Sequence, residues 1–175
     1  MQSILSYTDE TDKAYGMAGS TISLVAADGE HYLAALDMDA EPAEAISLVS
    51  GFGMKANPRM SAKVIWTQAV KELRVFTLMA IGNVVCRAYL RSHRALNSDE
   101  EALLRSVVAD EAARHCELDS DEAAELFDSN LMFVDRLFNH RSIGPVVSSF
   151  ATTIATRRHL SGAEAVEILA SLGIR

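Results

Sequence analysis

Twelve consecutive residues, Val75 to Cys86, carry no charge, and they sit in a long stretch free of proline and broken by one glycine. A helix that is apolar on every side must be covered on every side. Crossing a bilayer takes about 20 apolar residues, and Arg74 and Arg87 bracket a shorter run, so burial by protein is expected and a membrane is not. On either side the pattern stays helical. Ala62, Trp66, Ala69, Leu73, Phe76, Ala80 and Val84 recur at steps of three and four, which places them on one face, while Lys63, Thr67, Lys71 and Arg74 take the other. Asn57-Pro58 is a good start signal and Ser61 an alternative one. The expectation is a central helix over about 58–96, with Gly82-Asn83 as a bend or a point of close packing, because an interior glycine costs roughly 1 kcal/mol relative to alanine.

The remaining segments read as helices placed around that rod. Thr8-Asp9-Glu10 opens a first helix carrying Tyr15, Ala18, Ile22 and Val25, although Gly16 and Gly19 weaken it. Residues 21–38 also admit a small hairpin, 21–27 against 30–38 with Asp28-Gly29 at the turn. A short helix is expected from Glu41 to Val49, since Pro42 suits a first turn, with Gly51-Phe52-Gly53 as a loop. Downstream, Ser98 with Glu101 and Ser161 with Glu164 have the spacing of capping boxes, and Asp119-Ser120-Asp121-Glu122 is a further helix start signal. Ser142 with Pro145 opens a further helix, and Gly173 closes the last one. The fold class is therefore all-α, a multihelical bundle forming a single domain over 1–175.

Composition narrows the function classes. The net charge of −8 argues against nucleic acid as the main partner, since phosphate binding needs clustered Lys and Arg, and 49% apolar with 23% charged residues is the balance of a globular chain. The first residues lack a basic n-region, so no signal peptide is expected. Cys86 and Cys116 lie in apolar helical patterns and read as buried free thiols. The expected location is the cytoplasm.

No strong catalytic motif is present. Serine-hydrolase, P-loop and dinucleotide signatures are missing, and Ser61-Ala62-Lys63 falls one residue short of the Ser-x-x-Lys spacing. The candidate chemistry is a Glu/His site. Glu111 and His115 are one helical turn apart, Cys116 adjoins them, and Glu72 is an acid flanking the apolar face of the central helix. Such a set could hold a metal or a small molecule, although the motif His115-Cys116-Glu117 lacks the Pro-Cys-x-x-Cys partner of zinc deaminases. Asp37-Met38-Asp39-Ala40-Glu41 begins like a calcium loop, but Pro42 and Leu48 stand where that loop requires Gly and Glu. No cofactor is expected. Locally basic Arg136, His140, Arg141 and Arg157-Arg158-His159 contrast with an acidic stretch from Asp99 to Asp128.

The stretches Tyr7-Thr8-Asp9-Glu10-Thr11-Asp12-Lys13-Ala14-Tyr15-Gly16-Met17-Ala18-Gly19 and Asn57-Pro58-Arg59-Met60-Ser61-Ala62-Lys63 resemble segments of an uncharacterised family of conserved hypothetical proteins from Bacteroidetes. The likeness runs over most of the chain. It implies a multihelical fold and no assigned activity.

Two functions follow as expectations. The first is a non-catalytic helical protein that forms a homodimer or other homo-oligomer, or binds a protein partner. The second is a metal- or small-molecule-binding enzyme built on Glu72, Glu111 and His115.

Overall fold

A computed structural model of the chain describes Ile4, residues 6–53 and residues 61–174. The first helix, α1 (Glu10–Val25), starts where Asp9 accepts the Asp12 N–H at 2.7 Å. A 3₁₀ turn follows, then β1 (Leu33–Asp37), β2 (Ile46–Leu48) and β3 (Ser50–Gly53). The central helix, α2 (Ala62–Cys86), runs into a π-helical turn over Arg87–Arg91. The chain continues through α3 (Ser98–His115), α4 (Ser120–Phe138), α5 (Ile143–Arg157), β4 (His159–Ser161) and α6 (Gly162–Ser171). The architecture is multihelical around a long central helix, as expected, with a three-stranded sheet of order β2-β1-β4 added, antiparallel throughout.

The uncharged run is the spine of the core. Leu78, Ala80, Ile81, Val84, Val85 and Cys86 are buried, packed with Met17, Ala18 and Ile22 of α1 and with Phe127, Phe150 and Ile154 of α4 and α5. A smaller cluster of Leu73, Ala112, Cys116 and Ala123 fills the corner where α2 meets the α3–α4 connection. The helix Lys63–Arg91 is long and apolar enough to span a bilayer, yet 67% of its most apolar window is buried within the protein. It has the character of a core helix.

Several expectations need correction. Asn57-Pro58 lies outside the described residues; Ser61 caps α2, and the helical run ends at Arg91 instead of Leu96. Trp66 is 51% exposed although it shares the stripe of Leu73 and Phe76. Length explains this: α2 is about 38 Å long and α1 about 24 Å at 1.5 Å per residue, so α2 outruns α1, the helix it crosses. In the 21–38 region, α1 continues to Val25, and β1 pairs with β2 and β4 instead of with 21–27. The helix expected at Glu41–Val49 is a turn at 42–44 followed by β2, where Ile46 faces Leu36 across the ladder. Gly51-Phe52-Gly53 falls within β3. The cap of α3 is Asn97 with Glu100, one residue before the expected Ser98. The box at Ser161–Glu164 forms as expected, the start signal at Asp119 opens α4 and its Asp119 and Glu122 side chains also complete a capping box, and Gly173 takes φ +90° after α6.

Candidate functional site

The site is built on the crossing of α1 over α2. Gly19 lies against the Gly82 carbonyl, and Gly82 lies against Ser23 and the Gly19 carbonyl, so a Cβ on either would overlap backbone. A Cβ on Gly16 would come within 2.7 Å of the Tyr7 ring and 2.9 Å of the Asn83 amide. Small residues thus bring the two backbones together, and the polar groups beside them must find partners in a dry setting.

They do so around Asp12, which is 2% exposed. Arg87 holds its carboxylate with two hydrogen bonds, Nε to Oδ1 at 2.9 Å and Nη2 to Oδ2 at 2.7 Å. Arg91 adds Nη1 to Oδ1 at 3.1 Å, and the Thr8 N–H donates to Oδ2 at 3.0 Å. Arg87 also donates to the carbonyls of Ile4 and Ser6 and to Asn83 Oδ1. The π turn supplies this pair of arginines: its widened ring, closed by the Ser92 N–H on the Arg87 carbonyl at 3.0 Å, is a feature frequent at functional sites. Burial pushes the Asp12 carboxyl up, but the Arg87 hydrogen bonds, the Thr8 N–H and the two guanidinium charges outweigh it, and the group titrates below the usual carboxylate range.

Asn83 carries the network to the surface of a cavity. Its Nδ2 donates to Tyr7 Oη at 3.0 Å and approaches Ser20 Oγ at 3.4 Å, and Ser20 donates to the Met79 carbonyl at 2.9 Å. Burial raises the Tyr7 phenol above its ordinary value despite the Asn83 bond and the Arg87 charge, so it stays a neutral hydroxyl at physiological pH. Tyr7, Ser20 and Asn83 form one end of a cavity of about 640 Å³, walled by Phe76, Met79 and Ala80 of α2, Ile46 and Leu48 of β2, Phe52 of β3 and the turn Glu41-Pro42-Ala43.

A second, smaller cavity of about 210 Å³ has Phe52 and Phe76 in common with the first. Glu72, Glu111 and His115, the candidates read from the sequence, all line it. Gln68 donates to Glu72 at 2.9 Å. Glu111 lies 3.1 Å from His115 Nε2 and 3.2 Å from Arg114. Cys116 is buried beside them in the small core cluster, and burial, together with the Glu72 charge, raises its thiol. Burial likewise pushes the Cys86 thiol up. Both cysteines are free, and thiols held protonated are poor nucleophiles.

Metal-like convergence lies elsewhere. Among the described residues, the group of three donors that all lie within 4.8 Å of one another is Asp37, Asp39 and His159, which is not the set expected. Those charges already have partners: His159 lies 3.1 Å from Asp37 and 3.2 Å from Asp39, and Arg158 pairs with Asp39.

Sequence reading found the smaller cavity's acids and histidine but missed the Asp12–Arg87–Asn83–Tyr7 network. One signal was available: Asp12 is an acid in phase with Gly16 and Gly19 on the face of α1 that had to meet the uncharged run. No family model matches this chain, and neither a curated protein nor a solved structure matches it.

Proposed function

We propose that this protein is a non-catalytic binder of an elongated, mainly apolar small molecule, held along α2 in the cavity bounded by Tyr7, Asn83 and Phe76. The supporting observation is the form of that cavity. Its volume of about 640 Å³ lies in the range of small-molecule sites, roughly 300–1,000 Å³, and its wall is apolar with a few convergent polar groups at one end. The Asp12–Arg87 link fixes Asn83 and, through it, Tyr7, so those groups are held in place before a ligand arrives.

A neutral naphthylamine probe that fluoresces in apolar surroundings tests this. One saturable site is expected, and Ala43→Trp, placed at the exposed rim, should weaken it by about tenfold or more, about 1.4 kcal/mol, with unfolding unchanged. Binding without saturation, or full affinity in that variant, would contradict the reading.

A second reading has its own support. Val64 at 49% and Trp66 at 51% exposure stand on the overhanging end of α2, and Met132 on α4 is 53% exposed. Large apolar side chains on turns clear of the core suit self-association or a protein partner. In sedimentation, the wild-type chain is expected to form a homodimer at micromolar concentration and Trp66→Ser to shift it toward monomer. Stability should change by no more than about 0.5 kcal/mol, as for other surface substitutions. A wild-type chain that stays monomeric rejects this. The cytoplasmic location belongs to the same proposal and is supported by the two free, buried thiols.

A further inference from the structure

Resting on the small-molecule reading, we infer that the ligand carries a ketone or ester carbonyl whose oxygen accepts a hydrogen bond from the Tyr7 hydroxyl. Each bond at the polar end of the larger cavity has a fixed direction. Arg87 Nη1 lies 3.2 Å from Asn83 Oδ1, and a guanidinium can only donate, so that oxygen accepts and the amide orientation is set. Asn83 Nδ2 then directs its two hydrogens to Tyr7 Oη at 3.0 Å and toward Ser20 Oγ at 3.4 Å. Ser20 passes its own proton to the Met79 carbonyl at 2.9 Å.

The phenol proton of Tyr7 is the next link. A phenol both accepts and donates, and Tyr7 Oη accepts on its Asn83 side. Its O–H is therefore turned away from Asn83, and among the described residues no acceptor receives it. Burial, which raises this phenol above its ordinary value, keeps the proton in place. Tyr7 is part of the cavity wall, so an acceptor on the ligand completes the chain of bonds. An oxygen with no hydrogen of its own fits that position. Tyr7 Oη, Ser20 Oγ and Asn83 Oδ1 each already receive a bond, and a carbonyl is satisfied by Tyr7 without calling on them. Position is held as well as direction. Both oxygens of Asp12 grip Arg87, at 2.9 and 2.7 Å, and the Arg87 guanidinium stands 5.1 Å from the centre of the Tyr7 ring, a cation on the ring face that steadies it. On the other side the ring lies where a Cβ on Gly16 would come within 2.7 Å. The apolar body of the ligand then follows Phe76, Met79 and Ala80 along α2.

The experiment is a fluorescence titration of the full chain with a propionyl-(dimethylamino)naphthalene and with its propyl analogue, which has a methylene in place of the carbonyl. In the wild-type chain each probe is expected to saturate one site. Tyr7→Phe should weaken the ketone by about fivefold, about 1 kcal/mol, and leave the propyl analogue unchanged. Tyr15→Phe, which removes a phenol outside both cavities, should leave both affinities unchanged. Infrared spectra of the wild-type complex give an independent reading. The band of an isotopically labelled carbonyl should lie below its position in a hydrocarbon solvent, and in Tyr7→Phe it should move back toward that position. Equal effects of Tyr7→Phe on the two probes, or a wild-type band at the hydrocarbon-solvent position, overturn the carbonyl assignment and leave the cavity standing. Failure of both probes to saturate removes the cavity reading as well.

Discussion

Asp12→Ala is expected to destabilise the fold by about 3–5 kcal/mol, the cost of breaking a buried ion pair by deleting one member. Asp12 is almost wholly covered, and four donors converge on it. Without it, Arg87 keeps the Ile4 and Ser6 carbonyls but loses the anion that offsets its desolvation. Domain stabilities of about 5–15 kcal/mol make this a large fraction of the total, and urea unfolding would read it directly. The pH dependence has a definite sign. The folded carboxyl titrates below its unfolded value, so the ionised group contributes fully above the unfolded pKa, about 3.9, and that contribution is lost as pH falls through the lower folded value. Asp12→Asn should therefore be less stable than wild type near neutrality and lose less on acidification. A cost below about 1 kcal/mol for Asp12→Ala, far short of the deletion penalty, would show that Arg87 is satisfied without its partner.

Gly19→Ala is the second large effect. The added methyl would meet the Gly82 carbonyl and the Cys86 Cβ, neither of which is the movable tip of a side chain. Overpacking of this kind costs about 1–3 kcal/mol, and here it outweighs the gain in helix propensity of roughly 1 kcal/mol. Gly144→Ala is the matched control: its Cβ would find only Leu90 Cδ2, at 3.9 Å. That substitution should be neutral or stabilising by about 0.4–1 kcal/mol. The pair separates a packing demand at Gly19 from a general intolerance of alanine in helices; equal effects in the two variants would reject the packing explanation.

Local signals carried much of the helical framework. Ser61, Asp119 and Ser161 act as caps because a short polar side chain can reach an unpaired N–H two or three residues on, which is a property of adjacent sequence. The uncharged run also announced its own burial. Where two local solutions competed, a remote contact decided between them. Asn97–Glu100 and Ser98–Glu101 both fit a capping box, and Arg94, gripping Glu100 with two bonds of 2.6 Å, accompanies the first. Strand β2 was not legible because its pairing with β1 is tertiary, and Pro42 locally resembled a helix start. Gly16 and Gly19 looked like weaknesses in α1 until the partner helix was in place. At the site, Glu111 and His115 could be paired from their spacing on one helix. Their meeting with Glu72 across two helices, and the link from Asp12 to Arg87, depend on how α1, α2 and α3 pack.

The central claim is that α1 and the uncharged half of α2 form one locked unit, from which the cavity takes its shape. Amide hydrogen exchange under native conditions tests this most directly, because the most protected amides open only with global unfolding. The prediction is that residues 16–25 of α1 and 78–86 of α2 exchange together and slowest, while residues 63–70, on the exposed overhang, exchange far faster. Uniform exchange along α2, or an α1 that opens independently of residues 78–86, would contradict it.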